Sequence, residues 1–407
     1  MTPDNPGAPA AGRDPTRNNV ILLSFSLALS MSGSSLVLAT SPLVAQTIAP
    51  DKALATLPLA LQWVATMTAT IPASLLMRRF GRRTIFIAGQ LIGMSGAGLA
   101  TYAIFAQSFW LFAAAGLIFG THNAIWQYYR FAAADTASED FKSRAISFVL
   151  AGGVIAAIIG PELAKWSRDL FSPVMFAGGF TAMMGLSALA ILLLTRVDIP
   201  VPRAEERANS GRPLSVIACQ PAFVVAVLAA MIGYTIMTFV MTATPLAMVS
   251  YGHIFDDAAW VIQWHILGMY APSFFTGHLI KRVGEAWMIF AGAVLMLLCI
   301  AVNMSGTGVW HFWAGLVLLG LGWNFLFVGG TTLLTSTHAP AEKAKVQALN
   351  DFLVFSTVSA AALASGWVEH SFGWGAVNLA GVAPILFVLA ALIWLVVMRR
   401  RASGAQR

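Results

Sequence analysis

Long runs of apolar residues, separated by short polar turns, repeat along the whole chain. A helix needs about 20 apolar residues to cross a bilayer. Twelve runs meet that length, at about 20–43, 55–77, 84–106, 109–134, 144–164, 173–195, 217–249, 257–280, 285–304, 311–335, 346–366 and 375–398. The pattern predicts an all-α membrane protein with twelve transmembrane helices. The seventh run contains Pro245, which predicts a kink or an early stop. The first run lies behind a polar arm and precedes eleven others, so it is not read as a lone signal peptide. The longest internal polar stretch, Arg196 to Pro213, parts six runs from six. The predicted organisation is therefore a cytoplasmic arm (1–19), a six-helix bundle (20–195), a cytoplasmic linker (196–216), a second six-helix bundle (217–398) and a cytoplasmic tail (399–407).

Composition agrees with this pattern. Of 407 residues, 58% are hydrophobic and 10% charged. Soluble domains carry roughly 25% charged residues, so a water-exposed surface could not be covered here. The net charge of +7 is distributed, not clustered. With the N-terminus placed in the cytoplasm, all of the 24 Lys and Arg fall on the cytoplasmic side except Lys52, Lys165 and Arg168. A missed span would invert every later loop and spoil that bias, so the positive-inside rule supports the count, its even parity and cytoplasmic termini. The basic residues face anionic lipid, and no nucleic-acid partner is implied. Cys219 and Cys299 lie apart in apolar runs and predict neither a disulfide nor a metal cluster.

The halves repeat at an offset of 203. Arg78-Arg79-Phe80-Gly81 precedes the third run, and Lys281-Arg282-Val283-Gly284 precedes the ninth. The same offset carries Glu139, Lys142 and Ala145 onto Glu342, Lys345 and Ala348. Internal duplication marks transporter folds, with substrate sites near the midplane between the repeats.

The loop Ser74-Leu75-Leu76-Met77-Arg78-Arg79-Phe80-Gly81-Arg82-Arg83 resembles the G-x-x-x-D-R-x-G-R-R loop between helices 2 and 3 of major facilitator transporters. Arg79, Gly81, Arg82 and Arg83 match; Ser74 replaces the family glycine and Arg78 the family aspartate. The second copy keeps Gly277, Arg282 and Gly284, with Lys281 at the acidic position. In the family that carboxylate belongs to a charge relay that latches one state, which Arg78 cannot do. Ala134-Asp135 and Lys142-Ser143-Arg144-Ala145 resemble the family's approach to helix 5, and Gly160-Pro161 a fragment of its antiporter motif. The helix-4 arginine of the family is missing near Ala115. The resemblance implies two pseudo-symmetric six-helix bundles, a secondary carrier in a bacterial inner membrane, alternating access, a proton as coupling ion, a monomer and no cofactor. More loosely, Arg130-Phe131-Ala132-Ala133-Ala134-Asp135 and Gly268-Met269-Tyr270-Ala271-Pro272-Ser273 resemble a proteobacterial subgroup associated with riboflavin transport.

Polar groups inside spans are costly and tend to face a cavity or a partner helix. On the fourth run, Asn123, Gln127 and Arg130 share one face by their i, i+4, i+7 spacing. They read as a cavity wall with a cationic anchor, or as an arginine that snorkels or pairs with Asp351. The tenth run offers Trp323 and Asn324 among glycines. The seventh presents Tyr234, Thr238 and Thr242, as lining or as packing. The eighth carries Trp264 and His265, a proton carrier or a buried donor satisfied by its neighbours. Asp135, Glu162 and Asp351 are the candidates for gating or coupling. Trp63, Trp126, Trp264 and Trp323 together would make a stacking site for a planar ligand.

Enzyme chemistry is not indicated. There is no G-K-[ST] phosphate loop and no H-E-x-x-H. Gly93-Met94-Ser95-Gly96 fits the G-x-S-G of intramembrane serine proteases, but small residues in a span read more simply as close helix packing. The expected function is secondary transport of a small organic solute. Proton-driven efflux, and a receptor built on a carrier scaffold, are the alternatives.

Overall fold

The computed structural model describes residues 15–135, 139–199, 211–339 and 342–404. The N-terminal part of the predicted arm, the middle of the linker and the end of the tail lie outside the described residues. The described chain is helical. In order it runs α1 (Pro15–Ile48), a 3-10 turn (Lys52–Leu54), α2 (Leu57–Phe80), α3 (Arg82–Phe105), α4 (Phe109–Trp126), α5 (Tyr129–Asp135), α6 (Glu139–Ser167) and α7 (Ala177–Leu194). It continues with α8 (Leu214–Ala218), α9 (Pro221–Ser250), α10 (Phe255–Tyr270), α11 (Ser273–Val283), α12 (Glu285–Ser305), α13 (Val309–Thr335), α14 (Lys343–Leu379) and α15 (Val382–Gly404).

Among the described residues, nine helical stretches are long and apolar enough to cross a membrane. One of them, Lys345–Arg401, is 57 residues long, about twice what a bilayer accommodates, and it is interrupted at Gly373 (φ 78°). Two predicted runs are broken helices. The fourth divides into α4 and α5 at Gln127–Tyr128, and the eighth into α10 and α11 at Ala271–Pro272. Pro272 has no N–H to give the preceding turn, which accounts for the second break. The stop expected at Pro245 does not occur, since α9 continues through it to Ser250.

Helix contacts are densest within each half. In the first, α1 packs on α6 and α7, and α2 and α3 both pack on α4; in the second, α13 packs on α9, α10 and α12, and α9 on α14. Close approach is set by glycine. A Cβ on Gly120 would run into the Gln62 carbonyl across the α2–α4 contact, and one on Gly320 would lie 2.5 Å from the His265 carbonyl across α10–α13. The halves meet where α2 packs on α14 and α6 on α10. At one end of this seam, Arg168 Nη1 lies 3.3 Å from Asp256 Oδ1, Phe176 packs on Phe255 at 5.0 Å, and the Thr56 hydroxyl donates to the Leu363 carbonyl at 3.3 Å.

A cavity between the two sets of helices

A cavity of about 150 Å³ lies between the halves, lined by residues of α1, α2, α4, α5, α9, α10, α13 and α14 together with Gln127 of the α4–α5 break. One buried water needs some 10–15 Å³ by the same measure, so this space takes an organic solute. Its walls come from elements far apart in sequence. The α2–α4 glycine contact brings Gln62 and Trp63 beside Asn123, and α14 faces them from the other half.

Aromatic rings dominate one side. Tyr234 stands among four of them, with ring centroids 5.8 Å from Trp63, 5.3 Å from Trp323, 5.7 Å from Phe327 and 6.0 Å from Phe355, each edge to face. Trp63 stacks on Phe355 at 6.0 Å across the halves, and Trp323 on Phe327 at 5.1 Å. These separations fall in the range in which ring pairs attract. The cage is assembled jointly by α2, α9, α13 and α14.

The polar wall lies on α1, α4 and α5. Asn123 Oδ1 accepts from the Ser34 hydroxyl at 3.1 Å and from Trp126 Nε1 at 2.9 Å. Other polar atoms of the lining have no partner in the protein, namely Gln62 Oε1, Trp63 Nε1, Trp323 Nε1 and Arg130 Nε. A buried polar atom left unpaired costs about 1–3 kcal/mol. One acceptor and three donors of the lining residues are thus left unpaired. Arg130 also lies over the Phe131 ring at 4.7 Å, and Asp351, on α14, borders the same cavity and accepts from Asn350 Nδ2 at 3.1 Å.

The family model of the Major Facilitator Superfamily matches residues 23–253. The chain belongs to the major facilitator superfamily. It is 42% identical over 393 residues to the riboflavin transporter RfnT of Brucella anthropi, covering 96% of this chain and 97% of that protein. It is also 28% and 27% identical to two uncharacterized MFS-type transporters of Bacillus subtilis, YdeG and YddS, over 93% and 92% of this chain and 92% and 89% of theirs. It is accordingly a multi-pass membrane transporter and not an enzyme.

In this major facilitator protein the cavity brings together Asn123, Gln127, Arg130, Tyr234, Trp323 and Asp351 from the residues singled out in the sequence. It also gathers Gln62, Met31, Tyr270, Phe327 and Phe355, which no single run marks out. The 203-residue offset pairs Gln62 with His265 on α10, and Tyr270 stands in a run that resembles the riboflavin-associated subgroup; Met31, Phe327 and Phe355 carry no local signal.

Three sequence candidates stand elsewhere. Trp264 is 40% exposed and belongs to a cluster with Trp260 and Trp313. The cavity face of α10 is Ile266, Met269 and Tyr270, and Trp264 lies about 200° around the helix from Ile266. His265 is fully buried and turns to α13, where its Nδ1 is 2.8 Å from the Leu316 carbonyl. Asn324 is consumed by the α10–α11 break: its Nδ2 donates to the Met269 carbonyl (2.7 Å) and the Ser273 hydroxyl (2.8 Å), and its Oδ1 accepts from Thr276 (2.7 Å). It repairs a broken helix. On α9, Met237 and Met241 join Tyr234 at the cavity, while Thr238 and Thr242 are buried beside it.

Glu162 pairs with Lys165 on its own helix at 2.7 Å and is half exposed, away from the cavity. The side chains of Asp135 and Arg78 lie outside those described. Arg79, Arg83, Lys281 and Arg282 are exposed, and Arg82 is partly buried. Ser95, the residue of the protease-like fragment, donates to the Ile92 carbonyl of its own helix.

Proposed function

We propose that this protein carries riboflavin or a closely similar planar solute across the bacterial inner membrane. The observation that carries the reading is the cage of Trp63, Tyr234, Trp323, Phe327 and Phe355, with unpaired donors and an acceptor at its edge. Flat aromatic faces recognise a flat ring system, and unpaired donors of the lining suit the carbonyl and ring-nitrogen acceptors of an isoalloxazine. The 42% identical relative named a riboflavin transporter supports the same substrate.

In this reading twelve spans form two pseudo-symmetric six-helix bundles joined by the 196–216 linker, with both termini cytoplasmic. The residues of α1–α5 hold one side of the solute and those of α9–α14 the other. Rocking of the halves about this site exposes it to each side in turn. The Arg168–Asp256 pair and the Thr56 contacts then close the outer end. A proton gradient drives the cycle, and a monomer in the bilayer suffices.

The test is uptake of labelled riboflavin by a riboflavin-auxotrophic bacterium expressing the chain. Saturable uptake and growth rescue are expected, with both abolished by a protonophore. Absence of uptake from cells that carry the protein in their membrane removes the substrate assignment, and uptake indifferent to the protonophore removes the proton.

A further inference from the structure

The cavity lining contains one cation and one anion among its described residues. Arg130 comes from the first half and Asp351 from the second, and no ion pair is described between them. Each faces the space that the solute enters. Their charges cancel, so a neutral solute meets a compensated site. A solute with extra negative charge gains Arg130 but must also lie beside Asp351, in surroundings that are otherwise ring faces, methionines, aliphatic side chains and a few neutral polar groups. Unscreened like charges in such surroundings repel strongly.

We propose that Asp351 is a specificity-determining residue that rejects phosphorylated flavins, so that the carrier selects the uncharged vitamin over its 5′-phosphate. This rests on the flavin reading above. Riboflavin is uncharged at neutral pH, whereas a phosphate monoester carries about −1.5 to −2. The two molecules share ring and side chain, so aromatic stacking cannot tell them apart. Only the charge balance of the site does. An organic anion is the solute that Arg130 alone would attract; Asp351 reverses that preference. A zwitterion would also be matched by a compensated pair, but an amino acid has too little ring area to fill a cage built from five aromatic side chains.

The experiment is binding to the purified full-length protein in detergent at pH 7.5, read by quenching of flavin and tryptophan fluorescence. Riboflavin, riboflavin 5′-phosphate and L-tryptophan are compared on the wild type, Asp351→Asn and Asp351→Glu. The phosphate ester is expected to bind wild type at least roughly tenfold more weakly than riboflavin. In Asp351→Asn that ratio falls to about threefold or less, and Asp351→Glu retains the wild-type ratio. Because the ratio is taken within one preparation, a variant of reduced yield still reports. Equal binding of the two flavins by wild type, or an unchanged ratio in Asp351→Asn, overturns the charge filter and leaves the flavin site standing. L-Tryptophan binding as tightly as riboflavin overturns the assignment of a neutral solute. No flavin binding by folded wild type overturns both readings together.

Discussion

Gly81 and Gly284, 203 residues apart, hold the same unusual backbone conformation, φ 83°, ψ 150° and φ 86°, ψ 159°. Each ends one helix and begins the next, so the chain reverses there without a linker. At these two positions the repeated residues take the same backbone turn. This region of backbone space is open essentially to glycine alone, and another residue there costs about 1–3 kcal/mol. A Cβ on Gly284 would meet nothing within 4 Å, so Gly284→Ala isolates the backbone cost. The thermal midpoint of the purified protein is expected to fall by a few degrees, with a similar fall for Gly81→Ala. An unchanged midpoint in both would mean that the turn relaxes freely.

Tyr234 is the ring shared by the cage. Tyr234→Phe keeps the four ring contacts and is expected to leave riboflavin affinity within about threefold. Tyr234→Ala removes contacts worth about 0.5–1.5 kcal/mol per ring pair and is expected to weaken binding at least tenfold. Titration of flavin fluorescence reads both. Equal loss in the two variants would assign the effect to the hydroxyl instead of the ring.

Thr56 and Gly366 fasten the seam between α2 and α14. The Gly366 N–H donates to the Thr56 hydroxyl at 3.3 Å, and a Cβ at position 366 would lie 3.2 Å from that of Thr56. A disulfide spans about 3.5–4.5 Å between Cβ atoms. In a Cys219→Ser background, Thr56→Cys with Gly366→Cys is expected to cross-link under mild oxidation and to stop transport, with dithiothreitol restoring it. Full uptake by cross-linked protein would show that this end does not open during the cycle.

Outside the spans, Arg212 and Glu342 clamp the end of the linker to the turn before α14. Arg212 Nε and Nη2 donate to the two carboxylate oxygens at 2.9 and 2.8 Å, the Ala339 and Arg212 backbone N–H groups add 2.9 and 2.7 Å bonds, and Lys345 Nζ donates to the Arg212 carbonyl. The Arg212 hydrogen bonds, followed by those backbone bonds, hold the Glu342 carboxyl far below the usual range. A depressed folded value gives stability that is present above the unfolded value near pH 4.3 and lost as pH falls toward the folded one. Glu342→Gln is therefore expected to lower the thermal midpoint by a constant amount from pH 6 to 8, with the gap narrowing below pH 4. A gap that widens on acidification would contradict the clamp.

The sequence by itself determined the all-helical membrane class and the family. These follow from short-range facts. Apolar length sets what a bilayer accepts, and Gly81 and Gly284 repeat because one backbone turn admits almost nothing else. It also marked Asn123, Gln127 and Arg130, but the α4–α5 break parts Arg130 from the helix that carries Asn123, so the cavity and not one continuous helical face brings the three together. What it could not decide was whether a polar side chain inside a span looks into a cavity or repairs a neighbour. Asn324 and His265 have the composition of site residues, yet one mends the α10–α11 break and the other bonds the Leu316 carbonyl. Trp63 and Trp264 are both mid-run tryptophans, but only the rotation of α2 and α10 against their neighbouring helices puts the first in the cage and the second on the surface. That choice belongs to tertiary packing, because hydrogen bonds and ring contacts between helices depend on which faces meet, and adjacent residues on a helix face 100° apart.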